Sequence, residues 1–299
     1  MPPPKVTVIV NCFNGERFIA SAIKNILRQT FGDFEIVVFD NFSSDRSGKI
    51  CLGFTDSRVK YVRSPEHYTL YRARHEAIQE ARGELIAFLD VDDCWDMRKL
   101  ELQVQTFEDP NIYVSSTAYH VVRDGQISKM IAPPLFPAGF YGAEVLVNNY
   151  FVCLSSIMFR RSMYHRLGVK FSARYEIIGD FDFIITAANK MPHFFMGDIL
   201  VEYHEHGSNL SRRKRLLRYL ELEQWVSENL GLLGGLKGDL YRKLTDDIYY
   251  GKATSYSLEN EWLKSLANFF MTRSIMLKLR YILFVIFNSK KIILRKQNM

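Results

Sequence analysis

The sequence predicts an α/β fold in which helices flank a mainly parallel sheet, followed by a helical C-terminal extension. Three observations support this prediction. Up to Leu89, short runs rich in valine and isoleucine alternate with stretches of helical spacing, as in sheets built from β–α units with right-handed crossovers. Three of these runs end in polar or acidic residues, at the edge where such sheets bind ligands. Beyond Ser211 the pattern is helical to the end of the chain.

The elements of the first part of the chain follow from the spacing of its apolar residues. Asn14-Gly15 supplies the turn after the first strand, and Ser44 or Asp45 is placed to cap the helix that carries Ile50. Gly83 marks the end of the third helix. The predicted elements are, in order, strand 5–13, helix 18–29, strand 34–39, the helix around Ile50, strand 59–63, helix 71–81 and strand 84–89.

After the turn signal at residues 109–111 the alternation becomes less regular. Gly125 separates a predicted strand from its return strand, and the proline-rich residues 133–137 predict an irregular loop. The predicted elements of this part are strand 113–122, strand 127–131, strand 154–159, a helix from Arg161 and a helix over 182–190.

Composition restricts the class of protein. The chain has 299 residues, of which 47% are hydrophobic, enough for one large domain or two smaller ones. The cysteines are irregularly spaced without a CxxC pair, so neither a zinc site nor a disulfide framework is expected. The N-terminus lacks the apolar stretch of a secretory signal, and the longest apolar run, 281–287, is shorter than the roughly 20 residues that span a bilayer. We therefore expect a cytoplasmic protein.

Three carboxylates, Asp90, Asp92 and Asp93, directly follow the apolar run 85–89. Acidic groups at the end of a buried strand are costly unless a cation accompanies them, and carboxylate oxygens suit Mg²⁺ or Mn²⁺. Such a cation would also bind a diphosphate and stabilise it as a leaving group. The alternative is that Asp92 or Asp93 caps a helix that starts near Trp95.

This cluster belongs to a longer resemblance. Residues 88–95, FLDVDDCW, resemble the "FLDxDDxW" signature of glycosyltransferase family 2, whose members are inverting enzymes with a GT-A fold. Four more segments are similar to family motifs in the same order: VIVNCFNG at 8–15 to "VIIPTYNG", QTF at 29–31 to "QTF", VFDNFSSD at 38–45 to "VVDDGSSD", and LYRARH at 70–75 to "LSAARN". The agreement extends over residues 5–107. It implies a GT-A-like (Rossmann-like) domain with a nucleotide-sugar-binding half at 1–110, an acceptor-binding half at 111–211 and an extension at 212–299.

The resemblance implies roles for residues of the donor half. Cys12, which replaces a threonine, and Asn14 belong to the nucleotide-sugar site, and Cys12 contacts the nucleotide through its backbone. Asp40 is expected to accept the imide N–H of uracil, with an Asx turn or a helix cap as the alternative. Arg74 matches the arginine that approaches the nucleotide. Asp90 is assigned to the ribose or to a metal-bound water.

The resemblance also implies a metal site for Mn²⁺ or Mg²⁺, with Asp92 as ligand. Residues 201–211 look like the family's "YRxHxxSxS" segment, a mobile stretch that closes over the donor diphosphate. His206 takes the place of the motif histidine, as a metal ligand or as a donor to phosphate, and His204 replaces the motif arginine. A surface position is the alternative for these histidines.

A general base is implied in the acceptor half. Residues 178–184, IGDFDFI, resemble the motif "ED-Y-D-L-W", which aligns Asp180 with the catalytic base and Asp182 with a structural acid. Gly179 stands where the motif has a glutamate. Inverting transfer needs such a carboxylate to take a proton from the acceptor hydroxyl. The alternative for both acids is N-capping of the helix.

The C-terminal extension is basic. No acidic residue follows Glu261, while eight lysine and arginine residues lie among leucine, isoleucine and phenylalanine. This combination is typical of a peripheral contact with the anionic inner leaflet of a membrane. A packing appendage with a solvated basic face is an equal alternative. No nucleic-acid recognition motif accompanies the charge, so nucleic acid is not an expected partner.

We therefore predict a metal-dependent inverting hexosyltransferase or N-acetylhexosaminyltransferase. Its donor is expected to be UDP-linked, and its acceptor a glycan or lipid-linked glycan of bacterial surface polysaccharides such as lipopolysaccharide or capsule. A sugar nucleotidyltransferase is an alternative, although its glycine- and lysine-rich phosphate loop is missing near the N-terminus. The other alternative is a catalytically silent relative that acts as a membrane-surface scaffold, which Gly179, Asn41 and His204 favour. An oxidoreductase is not expected, since no GxGxxG follows the first strand.

Overall fold

A computed structural model describes residues 2–132, 136–207, 209–233 and 238–297. The chain forms two compact units, residues 1–206 and residues 207–299. Most of the loop predicted at 133–137 therefore lies outside the described residues, as does Ser208 of the 201–211 segment.

The first unit is built on one mixed sheet that contains ten strands in the described part of the chain. These strands are β1 (Val6–Cys12), β2 (Phe34–Asp40), β3 (Val59–Arg63), β4 (Leu85–Phe88), β5 (Cys94–Trp95), β6 (Val114–Arg123), β7 (Gln126–Ile131), β8 (Gly139–Tyr141), β9 (Met158–Arg160) and β10 (His193–His204). Its helices are α1 (Ile19–Leu27), α2 (Ser47–Leu52), α3 (Leu70–Gln79), α4 (Lys99–Thr106), α5 (Ala143–Asn148), α6 (Arg161–Arg166) and α7 (Gly179–Lys190).

The strand order confirms the predicted α/β class. The order is β3-β2-β1-β4-β9-β6-β10-β5, with β7 beside β6 and β8 beside β10. β1 pairs in parallel with both β2 and β4, and β6 pairs in parallel with β10. β2 and β4 are buried at every position, because the sheet is covered on both faces. The carboxyl ends of β1, β2 and β4 consequently meet at one edge.

Two predicted elements differ from the structure. Leu154–Ser156 is a turn of 3₁₀ helix and only Met158–Arg160 is a strand, antiparallel to β4 and β6. No helix starts near Trp95, since Cys94 and Trp95 pair with β10 and α4 begins at Lys99. The Trp95 indole donates to the Ser155 carbonyl (2.8 Å), and this long-range contact outweighs local helix preference.

Three predicted boundaries also need correction. Gly83 does not end α3, which stops at Gln79; its Cα packs on the backbone of Thr7, where a Cβ would collide. Arg46, and neither Ser44 nor Asp45, occupies the N-cap of α2 and makes no side-chain capping bond, although the Asp45 carboxylate accepts the N–H of Ser47 (2.9 Å). The helix predicted from residue 182 begins at residue 179, so that Asp180 lies in its first turn.

The second unit is helical, as predicted. Its described helices are α8 (Leu210–Arg213), α9 (Arg215–Glu228), α10 (Leu230–Leu233), α11 (Gly238–Leu258), α12 (Trp262–Met271) and α13 (Ile275–Gln297). α11 packs against α9, α12 and α13, and the Asp246 carboxylate accepts the N–H groups of Arg273 and Ser274 just before α13. Within the described residues, no helix has the length and apolar character that a membrane span requires.

Candidate active site

The loops that follow β1 and β2 are joined to each other. Cys12 and Asp40 are partners in the parallel register, and the Cys12 carbonyl accepts the N–H of Asn41 (2.7 Å). Asn14 has a left-handed backbone (φ 50°), and its side-chain oxygen accepts the N–H of Ser44 (2.9 Å). Cys12 and Asn14 thus lie at the sheet edge where the sequence predicts the nucleotide.

Asp40 is fully buried and has two hydrogen-bond partners within its own surroundings. Its Oδ1 accepts the N–H of Ser43 (2.8 Å) and its Oδ2 accepts the hydroxyl of Tyr61 (2.6 Å). Burial, together with this bond to Asp40, raises the pKa of Tyr61 to about 12. The loop bond corresponds to the turn alternative for Asp40, and the nucleobase contact remains a prediction.

The two substitutions in the loop after β2 are structurally accommodated. Phe42, which replaces the motif glycine, has φ +66°, so the loop keeps a left-handed residue at this place. Asn41, which replaces the motif aspartate, donates to the Tyr68 carbonyl (2.9 Å) and accepts the Tyr68 N–H (2.8 Å). The asparagine therefore ties this loop to the segment that precedes α3.

Arg74 of α3 lies against the acidic cluster. The residue is 4% exposed, and its guanidinium donates to Asp90 Oδ1 at 2.9 Å. Asp90 also donates its backbone N–H to the Ser155 hydroxyl (3.1 Å). Arg72, by contrast, is exposed and lies over the Tyr68 ring at 3.9 Å.

Asp93 is buried and does not cap a helix, so that part of the prediction is wrong. Its carboxylate accepts the hydroxyl of Ser155 (2.5 Å) and the N–H of His204 (2.9 Å). Burial raises its pKa well above the ordinary value, and the charges of Asp90 and Asp92 raise it further. Asp93 therefore joins the end of β4 to the 3₁₀ turn and to the end of β10. Sequence patterns missed Ser155, because the turn was predicted as strand.

Asp92 and His206 are brought together from segments far apart in the sequence. His206 Nε2 lies 2.8 Å from Asp92 Oδ2, and the histidine ring stacks on Phe18 with centroids 6.0 Å apart. Burial, followed by the charge of Asp90, raises the pKa of Asp92. The pair provides an imidazole nitrogen and a carboxylate oxygen, and it is the carboxylate oxygen, beside the further carboxylates Asp90 and Asp93, that suits Mn²⁺ or Mg²⁺. Among the described residues, no three His, Cys, Asp or Glu side chains are arranged as a complete metal site.

Asp180 lies in the first turn of α7 and is linked to α3. Its Oδ1 accepts the Tyr71 hydroxyl (3.1 Å) and the N–H of Phe181 (2.8 Å). α3 also carries Arg74, whose guanidinium lies 5.0 Å from the centre of the Tyr71 ring. One helix therefore contacts both the acidic cluster at Asp90 and the predicted base.

Comparison with known proteins decides the family. The sequence profile described as "Glycosyl transferase family 2" matches residues 7–168, more than half of the chain. The chain belongs to glycosyltransferase family 2. The resemblance found from the motifs is thereby confirmed, while Asp180 and His206 lie beyond the matched segment.

Curated glycosyltransferases match part of the chain. The UDP-Glc:α-D-GlcNAc-diphosphoundecaprenol β-1,3-glucosyltransferase WfgD of Escherichia coli is 35% identical over 129 residues, 43% of this chain and 51% of that protein. WfaP of the same organism, with the same enzyme activity in its name, is 29% identical over 52% of this chain and 61% of its own length. The putative teichuronic acid biosynthesis glycosyltransferase TuaG of Bacillus subtilis is 30% identical over 44% and 54%. The chain thus spans about half the length of the curated relatives that it matches.

Solved structures share the fold. TarS 1–349 of S. aureus in complex with UDP has a TM-score of 0.61 at 16% identity and covers 88% of each chain. The mannosyltransferase PcManGT of Pyrobaculum calidifontis, in complex with GDP-Man and Mn²⁺, has a TM-score of 0.60 at 17% identity over 89% of this chain and 74% of its own. At these identities the likeness concerns the fold, and it confirms the predicted GT-A-like architecture.

Proposed function

We propose that this family 2 member transfers a hexose or N-acetylhexosamine from a UDP-sugar to a hydroxyl of a glycan or lipid-linked glycan, with inversion, in surface-polysaccharide synthesis. The observation that carries the proposal is the contact of Asp92 with His206 at the end of β4, together with the link from this cluster through α3 to Asp180. The activities of WfgD and WfaP, UDP-Glc:α-D-GlcNAc-diphosphoundecaprenol β-1,3-glucosyltransferases, support a UDP-linked donor and a lipid-diphosphate acceptor. The complexes of TarS with UDP and UDP-GlcNAc support the same nucleotide.

The donor half would hold the nucleoside at the joined loops. In this proposal the backbone of Cys12 and the side chains of Asn14 and Asp40 line the base and ribose, and Arg74 keeps the Asp90 carboxylate oriented towards the ribose. The Asp40 carboxylate accepts one hydrogen bond on each oxygen, and each oxygen has a second lone pair with which it could accept the imide N–H of the base.

Asp92 and His206 would hold Mn²⁺ or Mg²⁺. Such ions are commonly bound by one or two protein carboxylates together with substrate phosphates and water, so a two-residue set is sufficient in the presence of the donor. When bound, the ion neutralises charge on the donor diphosphate and makes it a better leaving group. Burial and the charge of Asp90 raise the pKa of Asp92, so its ionised form is disfavoured in the folded protein, and a bound cation would compensate that charge.

Asp180 would act as the general base. It takes the proton from the acceptor hydroxyl while that oxygen forms a bond to the anomeric carbon. The bond between this carbon and the diphosphate oxygen breaks on the opposite face, and its electron pair leaves with UDP. A single displacement of this kind inverts the configuration of the sugar.

The second unit would lie on an anionic membrane surface, which places the active site near a lipid-linked acceptor. Leu263, Phe270 and Ile275 of this unit are 86%, 70% and 76% exposed, and the chain after Glu261 has basic but no acidic residues. Exposed apolar side chains among basic residues are the composition of an interfacial segment.

UDP release tests the proposal. Purified protein with Mn²⁺ is incubated with UDP-glucose or UDP-GlcNAc and a synthetic α-GlcNAc-diphospholipid. We expect acceptor-dependent UDP release that falls roughly 10²- to 10⁴-fold in Asp180→Asn, while Asp198→Asn, an exposed acid, matches the wild type. Binding of UDP without turnover of either sugar would instead support the scaffold alternative.

A further inference from the structure

An aromatic ring fills the space that a side chain at Gly179 would take. A Cβ at this position would lie 2.5 Å from two ring carbons of Tyr71, closer than real Cβ atoms approach other heavy atoms. The obstacle is the body of a fully buried ring and not the end of a flexible chain. A side chain at residue 179 and a tyrosine at residue 71 therefore exclude each other.

The Tyr71 ring is held by its other neighbours. It stacks on Phe171 with centroids 5.8 Å apart, and the Arg74 guanidinium lies 5.0 Å from its centre. Arg74 itself is paired with Asp90. The ring thus has a defined position set by α3, by Phe171 and by the missing side chain at Gly179.

The hydroxyl of this ring lies within hydrogen-bonding distance of two oxygens, one just before α7 and one in its first turn. It lies 2.8 Å from the Ile177 carbonyl and 3.1 Å from Asp180 Oδ1. A hydroxyl has one proton, so it donates to one of these oxygens at a time. Donation to the carboxylate orients Asp180 and favours its ionised form, the form that accepts a proton.

We propose that Tyr71 and Gly179 form a positioning pair for Asp180: the glycine admits the ring, and the ring hydroxyl sets the orientation and the protonation of the carboxylate. This inference rests on the proposed role of Asp180 as general base. The Tyr71 ring also contacts Arg74, which pairs with Asp90. A donor that changes the Arg74–Asp90 pair would therefore also affect the ring and, through its hydroxyl, the Asp180 carboxylate.

Tyr71→Phe tests the hydroxyl alone, because the ring and its packing remain. We expect kcat for UDP release from UDP-glucose with the α-GlcNAc-diphospholipid to fall about 10- to 100-fold, the loss of one hydrogen bond to a charged group. The donor KM should change less than about threefold, since the change concerns the transition state and not donor binding. Tyr164→Phe, which removes another buried hydroxyl (2.7 Å from His75 Nδ1), is the control and should keep the wild-type kcat.

The pH dependence of kcat distinguishes a positioning role of the Tyr71 hydroxyl from a purely structural one. The acid limb of kcat should move to higher pH in Tyr71→Phe, because the bond that favours the ionised carboxylate is lost. Other charged or titratable groups whose fields reach Asp180 include, among the described residues, Arg74 of α3, Tyr119 of β6 and Tyr150. These groups are unchanged in the variant.

Gly179→Ala tests the steric half of the pair. It should lower kcat in the wild-type background. In a Tyr71→Ser background the decrease in kcat should be much smaller, because no ring meets the new methyl group. If the effects of Gly179→Ala and Tyr71→Ser on kcat are additive, the proposed steric exclusion between residues 71 and 179 is wrong.

The Asp180→Asn variant distinguishes a failure of the positioning role from a failure of the proposed function. If Asp180→Asn is inactive while Tyr71→Phe keeps the wild-type kcat and pH profile, the positioning role is overturned and the proposed function stands. If Asp180→Asn keeps the wild-type kcat, the proposed function is overturned, and the inference with it.

Discussion

The three carboxylates that follow β4 have different neighbours. Asp90 pairs with Arg74, Asp92 lies beside His206, and Asp93 is enclosed by Ser155 and the backbone of His204. Asp93 is therefore a structural anchor, whereas Asp92 faces a residue on a segment that the sequence resemblance assigns to the donor diphosphate. The motif did not reveal the anchoring role of Asp93, because Ser155 and His204 come from distant parts of the chain.

Asp92→Asn should abolish the dependence of UDP release on Mn²⁺ and lower the rate at least about 100-fold. Because burial and Asp90 raise the pKa of Asp92, its ionisation costs stability as the pH rises through that pKa. The neutral asparagine should therefore unfold at the same or a higher temperature at pH 7. A Mn²⁺ titration and a thermal melt measure the two effects, with the exposed Asp96→Asn as control. Full Mn²⁺-dependent activity in Asp92→Asn would refute the assignment.

Lys99 offers a separate test of the core of the first unit. The side chain is fully buried, and its Nζ has no hydrogen-bond partner among the described residues and lies 3.9 Å from the centre of the Trp95 ring. Burial lowers the pKa of Lys99 to about 7. The unfolded chain holds this proton up to about pH 10.4 and the folded chain releases it near 7, so stability rises with pH across this window.

Lys99→Met should therefore raise the free energy of unfolding at pH 7 by about 2–4 kcal/mol and flatten its rise between pH 7 and 10. Urea unfolding at several pH values measures both effects. Lys24→Met, on the exposed face of α1, should change stability by less than about 0.5 kcal/mol. A Lys99→Met protein less stable than the wild type at pH 7 would show that the buried amine is stabilising.

Among the strands, those buried on both faces were predicted most accurately from the sequence. β1, β2 and β4 are covered on both faces, so their sequences are mostly apolar and their positions were predicted almost to the residue. β5 has two residues and exists because β10 lies beside it. The register of β10 against β6 shifts between Met196 and Val201, which interrupts any alternation that the sequence could display. Such elements depend on long-range pairing and have no local signal.

Gly83→Ala should show that this glycine serves close packing and not helix termination. Its new Cβ would meet the backbone of Thr7 at the start of β1, and the strand cannot move without disturbing the sheet. We expect a loss of about 1–3 kcal/mol in the free energy of unfolding, measured by urea titration. Gly32→Ala, with no atom within 4 Å of the new Cβ, is the matched control. Equal stability of the two variants would contradict the account.

At the scale of the whole chain, the two units differ in composition and in proposed role. The first unit carries every predicted site residue, and its motifs made the family identifiable from the sequence. The motifs of the family resemblance end at residue 211, so for the rest of the second unit the sequence predicted a helical and basic character, with a membrane contact as one of two alternatives. Its exposed apolar side chains on α12 and α13 became apparent only from the helix packing.

Vesicle binding tests the proposed role of the second unit. The protein should sediment with vesicles rich in phosphatidylglycerol, and less at high salt, but not with pure phosphatidylcholine vesicles. Phe270→Ser should weaken binding about 5- to 10-fold, because a 70% exposed phenylalanine no longer enters the interface. Leu52→Ser removes an apolar group of similar exposure (71%) from the first unit and should have no effect. Equal binding to both kinds of vesicle would contradict the proposal.

The central claim, a single displacement with Asp180 as base, is tested most directly by the anomeric configuration of the product. The UDP-sugar that turns over is incubated with the α-GlcNAc-diphospholipid and Mn²⁺, and the new glycosidic bond is assigned by NMR. We expect a β-linked product from an α-linked donor with the wild-type protein, and no product with Asp180→Asn. An α-linked product, or a wild-type yield from Asp180→Asn, would contradict it.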